Sequence, residues 1–155
     1  MKANFLPAGY RQITPYLIVA EAARALEFYR QAFGGTEIMR LDAPGGKVGH
    51  AEIQIGDSRI MLADEFPEHG ARSPHNIGGT PVSLMLYVED VDAVVARAAS
   101  LGAKVLKPIQ DQFYGDRSGT LVDPFGHQWT IATHTEDVSP EEISRRMAGL
   151  GGNNS

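Results

Sequence analysis

Apolar and polar residues alternate most clearly over Gly115–His134 (GDRSGTLVDPFGHQWTIATH). Leu121 and Val122 precede a tight turn at Asp123-Pro124-Phe125-Gly126, and Trp129 and Ile131 follow it. Proline presets φ for a turn and glycine accepts the left-handed conformation that closes it, so the stretch predicts a hairpin. The same pattern occurs at Gly49–Asp64 (GHAEIQIGDSRIMLAD), with the turn at Gly56-Asp57. Two such hairpins about 68 residues apart point to an internal repeat.

Taken in order, residues 1–12 predict a loose arm and Ile13–Val19 a strand, with Pro15 near its start favouring an edge position or a short first pairing. Glu21–Phe33 switches to helical period, with Ala22, Ala25, Leu26, Tyr29, Ala32 and Phe33 on one face, and Gly34-Gly35 ends it. Strands at Thr36–Leu41, Lys47–Ile55 and Arg59–Asp64 complete a βαβββ module over residues 13–64, with Asp42–Gly46 as a loop. Residues 65–80, rich in Pro, Gly and His, read as a linker. Residues 81–134 then repeat the order: strand Val82–Val88, helix Val91–Leu101, strand Ala103–Pro108, and the hairpin strands Asp116–Val122 and His127–Thr133. Corresponding positions stay 68–69 residues apart. Within residues 135–155, Asp137–Met147 predicts a tail helix with Ser139 as N-cap, Pro140 at N1 and Glu142 closing a capping box. The fold class is therefore α+β: two duplicated βαβββ modules whose helix-free sheet faces curl around a shared concave cavity, plus a C-terminal helix.

Composition narrows the function classes. Across 155 residues, 43% hydrophobic and 21% charged content fits a soluble globular chain. A net charge of -5 without a Lys/Arg cluster argues against nucleic acid, and no apolar run is long enough for a membrane helix. The absence of cysteine removes disulfides, thiolate metal sites and a cysteine nucleophile. With no signal-peptide pattern at the N-terminus, the expected compartment is the cytoplasm. No nucleophile elbow and no phosphate loop is present; the glycines at 149–152 follow a helix rather than open one.

The order of elements, with FYRQAFG at Phe28–Gly34, LYVEDVDAVVARAASLGA at Leu86–Ala103 and DPFGHQW at Asp123–Trp129, resembles the vicinal oxygen chelate superfamily. Glyoxalase I, extradiol dioxygenases, fosfomycin-resistance proteins and bleomycin-resistance binding proteins belong to that superfamily. GHAEIQIGDSRIMLADE (Gly49–Glu65) and YGDRSG (Tyr114–Gly119) are similar to its PhnB-like branch, and the resemblance covers roughly residues 13–134. It implies a divalent metal held by His, Gln or Glu from the first and last strands of each module. Carried through the flanking motifs, those seats fall near Thr14, Leu62, Ser83 and Thr130. None of these side chains suits zinc, nickel or iron, and the neighbours one residue away are no better. No metal and no cofactor is expected there.

With Thr14 and Ser83 facing inward, alternation sends Tyr16, Ile18, Met85 and Tyr87 the same way, and Gln128, Thr130 and Ala132 join them. His50, Glu52 and Gln54 share a face opposite Ala51, Ile53 and Ile55. They form an ordinary polar face, ligand contacts, or a displaced metal site. Phe113-Tyr114 is a candidate aromatic rim, and Arg117 pairs with an anionic ligand group or with Asp116 or Asp123. His69, His75 and His127 read as structural, and His134 as structural or at the cavity mouth. The ligand-binding candidates are thus Thr14, Tyr16, His50, Glu52, Ser83, Met85, Tyr87, Tyr114, Arg117 and Thr130. This wall suits a small organic molecule held by apolar area and a few hydrogen bonds. The leading expectation is a non-catalytic, metal-free binding protein that forms a homodimer. The alternatives are a lyase, isomerase or dioxygenase with a displaced metal at His50 and Glu52, and a structural or regulatory dimer.

Overall fold

The computed structural model describes residues 1–151. The chain clusters into two units, residues 1–81 with 124–127, and residues 82–123 with those from 128 onward. The first carries β1 (Tyr16–Val19), α1 (Ala22–Phe33), β2 (Thr36–Ala43), β3 (Lys47–Ile55) and β4 (Ser58–Asp64) in a sheet of order β1-β4-β3-β2. The linker expected over residues 65–80 has structure of its own: a 3-10 turn at Pro67–His69 and a one-turn helix, α2 (Pro74–Ile77), capped by Ser73. The second unit carries β5 (Ser83–Tyr87), α3 (Val91–Ser100), β6 (Lys104–Asp111), β7 (Asp116–Val122) and β8 (Gln128–His134) in the same order, β5-β8-β7-β6. In both, the first strand pairs parallel with the last and the other pairs are antiparallel. The duplicated α+β architecture is therefore real, followed by α4 (Pro140–Gly151).

The helices form where the apolar period predicts. The predicted face of α1 is buried, with Phe28 added to it. Gly34 closes the helix in the left-handed conformation, its N–H reaching the Arg30 carbonyl while the Gly35 N–H reaches that of Tyr29. A Cβ on Gly35 would stand 2.5 Å from Ile53 Cδ1, so the chain can turn there only without a side chain. In the first unit Leu17, Val19, Ile53 and Leu62 pack under α1, and Phe125 joins Phe28 and Tyr29 edge-on. In the second, Leu121, Trp129 and Ile131 pack with Val91, Val95 and Ala98 of α3, and the Trp129 indole N–H donates to Asp123 at 2.9 Å.

Two starts of helices are held by one device. Asp64, at the end of β4, accepts the Ala22 N–H at 2.8 Å and the Val48 N–H at 2.7 Å, and is itself buried. Thr133, at the corresponding place in β8, accepts the Val91 N–H at 3.0 Å and donates to the Val88 carbonyl at 2.8 Å. Each side chain supplies an acceptor that the first turn of a helix lacks. In α4 Ser139 accepts the Glu142 N–H as predicted. Glu142 does not reach back to complete the box; its carboxylate holds Arg145 and Arg146 instead.

Candidate functional site

In each sheet the residues of one parity are buried beneath the helix, and the others form an open face. On the first sheet, register places Tyr16 beside Met61, and Met61 beside Glu52. The Tyr16 hydroxyl lies 2.8 Å from His50 Nδ1, and His50 Nε2 lies 3.4 Å from Glu52 Oε1. Burial, and then the Glu52 carboxylate, push the Tyr16 pKa above its usual value, favouring the neutral phenol. Tyr16, His50 and Glu52 therefore come together as a polar row on the open face. At its edge Arg59 donates to Gln54 at 2.8 Å and covers the Tyr10 ring at 5.0 Å. The arm expected to be loose is thus engaged at Gly9 and Tyr10, where a Cβ on Gly9 would meet the Arg59 guanidinium at 2.6 Å.

On the second sheet, Ser83, Met85 and Tyr87 of β5 stand on the open face, with Met85 opposite Thr130 and Tyr87 opposite Ala132. Thr130 Oγ1 is 3.2 Å from Thr120 Oγ1. A cavity of about 300 Å³ lies here, lined by Lys107, Gln110, Tyr114, Ser118, Thr120 and Thr130 among others. Beside it is a second cavity of about 500 Å³, between Tyr87, Tyr114, Asp116 and His134 on one side and Asp137, Val138, Ser139 and Ile143 of the tail on the other. The Tyr87 hydroxyl donates to Asp116 Oδ2 at 2.8 Å, and His134 Nδ1 reaches Asp116 Oδ1 at 2.8 Å. His134 Nε2 in turn reaches Asp137 Oδ1 at 2.8 Å. The bonds to Asp116 and then Asp137 raise the His134 pKa, favouring the imidazolium with both N–H groups engaged. The bond to Asp116, then burial, raises that of Tyr87.

Two placements differ from the sequence reading. Arg117 is absent from the ligand face: it forks onto Asp92 of α3 at 2.8 and 2.9 Å and reaches Asp111 at 3.2 Å. Alternation along β7 decides this, since Asp116 and Ser118 face the cavities and Arg117 faces the helix side. Leu62 is wholly buried beneath the helix, and Met61 occupies the register position that Thr130 holds in the other sheet. Thr14 lies two residues before β1, half-buried. Asp116 and Asp137 were not among the candidates; Asp116 shares its parity with Ser118 and Thr120 and could have been found by that rule.

The sequence profile of the glyoxalase/bleomycin resistance protein/dioxygenase superfamily matches residues 10–131. The chain belongs to that superfamily. Its relatives include the Mycobacterium bovis protein Mb0911c, 40% identical over 97% of this chain and 99% of that one. Among solved structures, protein PA1353 of Pseudomonas aeruginosa is 26% identical, with a TM-score of 0.65 over 81% of this chain and 99% of that one. The PhnB protein of Bacillus cereus shares the fold, at 21% identity and a TM-score of 0.64 over 79% and 99% of the two chains.

The metal seats carried over from this superfamily fit poorly. They hold Thr14, just before β1, and Met61 in the first unit, and Ser83 and Thr130 in the second. Neutral hydroxyls and a thioether do not make a first shell for a hard or borderline divalent ion. Among the described residues, no group of three or more His, Cys, Asp or Glu stands together as a metal site.

Proposed function

We propose that this superfamily member, of the PhnB-like branch, is a cytoplasmic homodimer that binds a small organic molecule without a metal at the superfamily's seats. The observation that carries this reading is the replacement of ligating side chains at those seats by Thr14, Met61, Ser83 and Thr130. Beside them the open faces offer Tyr16, Met85 and Tyr87, all substantially exposed. Phenols and thioethers at the edge of hydroxyl groups supply apolar area with a few orienting bonds, the balance a small-molecule site needs. Among the described residues no helix is long and apolar enough to cross a membrane.

A metal-dependent lyase, isomerase or dioxygenase is the second reading. It is favoured by the Tyr16–His50–Glu52 row, where an imidazole and a carboxylate share one open face.

Metal analysis of protein purified without chelator or affinity tag separates the two. The proposal expects only substoichiometric Ni, Zn, Mn or Fe, and a stoichiometric metal lost in His50→Ala would replace it with the second reading. For any ligand that co-purifies, Tyr87→Ala should weaken binding about tenfold or more, through roughly 1–3 kcal/mol of lost apolar contact. His50→Ala should weaken it much less, and the reverse ranking would favour the displaced metal.

A further inference from the structure

We propose that the cavity between the second sheet's open face and the tail binds an organic ammonium ion with an apolar body. The inference rests on the binding-protein reading and names the charge of the ligand that this cavity takes. Its first support is an inventory of donors and acceptors. Tyr87 spends its proton on Asp116, and both His134 nitrogens are spent on Asp116 and Asp137. The side-chain polar groups still facing the cavity are then acceptors: the Tyr87 oxygen, the carboxylates of Asp116 and Asp137, and the hydroxyls of Tyr114 and Ser139, which can also donate. A ligand that brings donors or positive charge meets this set best.

The second support is electrostatic. Two carboxylates against one imidazolium leave the lining net negative, and Asp116 is nearly shielded from water, at 4% exposure. The charged groups around His134 are Asp116 on β7 and Asp137 on the tail; Tyr87 and Tyr114 are the neutral titratable groups beside them. Arg146 of the tail helix is committed to Glu136, Glu142 and the Phe113 carbonyl, and is not part of the lining. The third support is shape. Tyr87 and Tyr114 offer aromatic rings to a cation, while Val138 and Ile143 offer apolar wall to its body.

The cavity wall is built rather than incidental. Thr135 and Glu136 donate their N–H groups to the Gly115 carbonyl at 2.9 and 3.0 Å, and Thr135 Oγ1 donates to the same oxygen. Gly115 itself sits at φ +100°, where an added Cβ would collide with the Glu136 carbonyl. The tail is therefore pinned against the end of the sheet by contacts that leave the cavity open between them.

Calorimetric titration of the full chain with benzyltrimethylammonium, benzylammonium and phenylmethanesulfonate tests this at low salt. The two cations should bind and the sulfonate should not. Because benzyltrimethylammonium does not titrate, its affinity should rise roughly three- to tenfold as His134 loses its proton, the scale of one nearby unit charge in a partly solvated site. His134→Gln should bind it as tightly at low pH as the unmodified chain does at high pH, with a flat profile. Asp137→Asn, at a side chain fully in water, should fold normally and weaken both cations. Tyr87→Phe should weaken benzylammonium more than benzyltrimethylammonium, because only the former donates to the phenol oxygen. Sulfonate binding as strong as the cations', no saturable cation binding, or cation binding that neither His134→Gln nor Asp137→Asn alters would overturn the proposal. A stoichiometric metal, in contrast, sinks the metal-free reading without touching the cation-over-anion preference, so the two failures are distinguishable.

Discussion

Asp116 is a carboxylate almost without water, and both its oxygens are partnered, one by Tyr87 and one by His134. The cost of burying such a group is offset only while both donors stay. The His134 pKa is raised in the folded chain, so its contribution to stability is fully present below the ordinary histidine value of about 6.5. That contribution is lost as pH rises through the higher, folded value. The urea midpoint of the chain should therefore fall with rising pH above about 6.5, and the fall should vanish in His134→Gln. A midpoint that climbs over this range would show that the imidazole is not held as a cation. Gly115, beside this cluster, gives a second residue-level test. At φ +100° with the Glu136 carbonyl 2.1 Å from a built Cβ, Gly115→Ala combines backbone strain with a clash. It should cost at least about 2 kcal/mol in urea unfolding. A loss within error would mean that the tail moves aside freely.

At the scale of elements, the helix starts carry the clearest sign of duplication. Asp64 and Thr133, each at the end of its module's last strand, accept the first N–H of that same module's helix. Asp64→Ala strands two buried N–H groups, Ala22 and Val48, and should cost about 2–3 kcal/mol, whereas Thr133→Val removes a single weaker acceptor and should cost about 1 kcal/mol. Equal losses in denaturant melts would show that the second N–H held by Asp64 adds nothing. The same strands show what was legible in the sequence. Alternation in GHAEIQI and QWTIATH located β3 and β8, and Ala25, Leu26 and Tyr29 fixed the buried face of α1, because each buried side recurs at the period of its element. The slip from Met61 to Leu62 has a physical cause. Glu52 corresponds to Thr120 at an offset of 68, but their partners Met61 and Thr130 correspond at 69, since the second hairpin's turn gains a residue. A one-residue error in a strand moves a side chain to the other face. The cluster of Asp116, His134 and Asp137 was less legible, because it depends on the tail folding back on Gly115, a contact with no period to announce it.

For the whole molecule, the exposed apolar side chains decide what the chain does in solution. Tyr16, Met39 and Leu41 on the first sheet and Met85, Tyr87, Val105 and Leu106 on the second are all more than a third exposed. The strands β2 and β6 each have one neighbour in their sheet and leave an edge unpaired. Open edges with apolar side chains invite pairing with another chain, and a net charge of -5 spread over 155 residues opposes it only weakly. A symmetric pair of identical chains is the simplest way to cover such surfaces. Light scattering at high micromolar concentration should therefore return twice the mass of 16.8 kDa. Leu41→Glu together with Leu106→Glu places charge at both edges and should shift the population toward monomer, with the far-ultraviolet circular dichroism unchanged. If the unmodified chain returns a monomer mass, the homodimer is wrong. If the charged variant stays dimeric and folded, the contact lies away from β2 and β6.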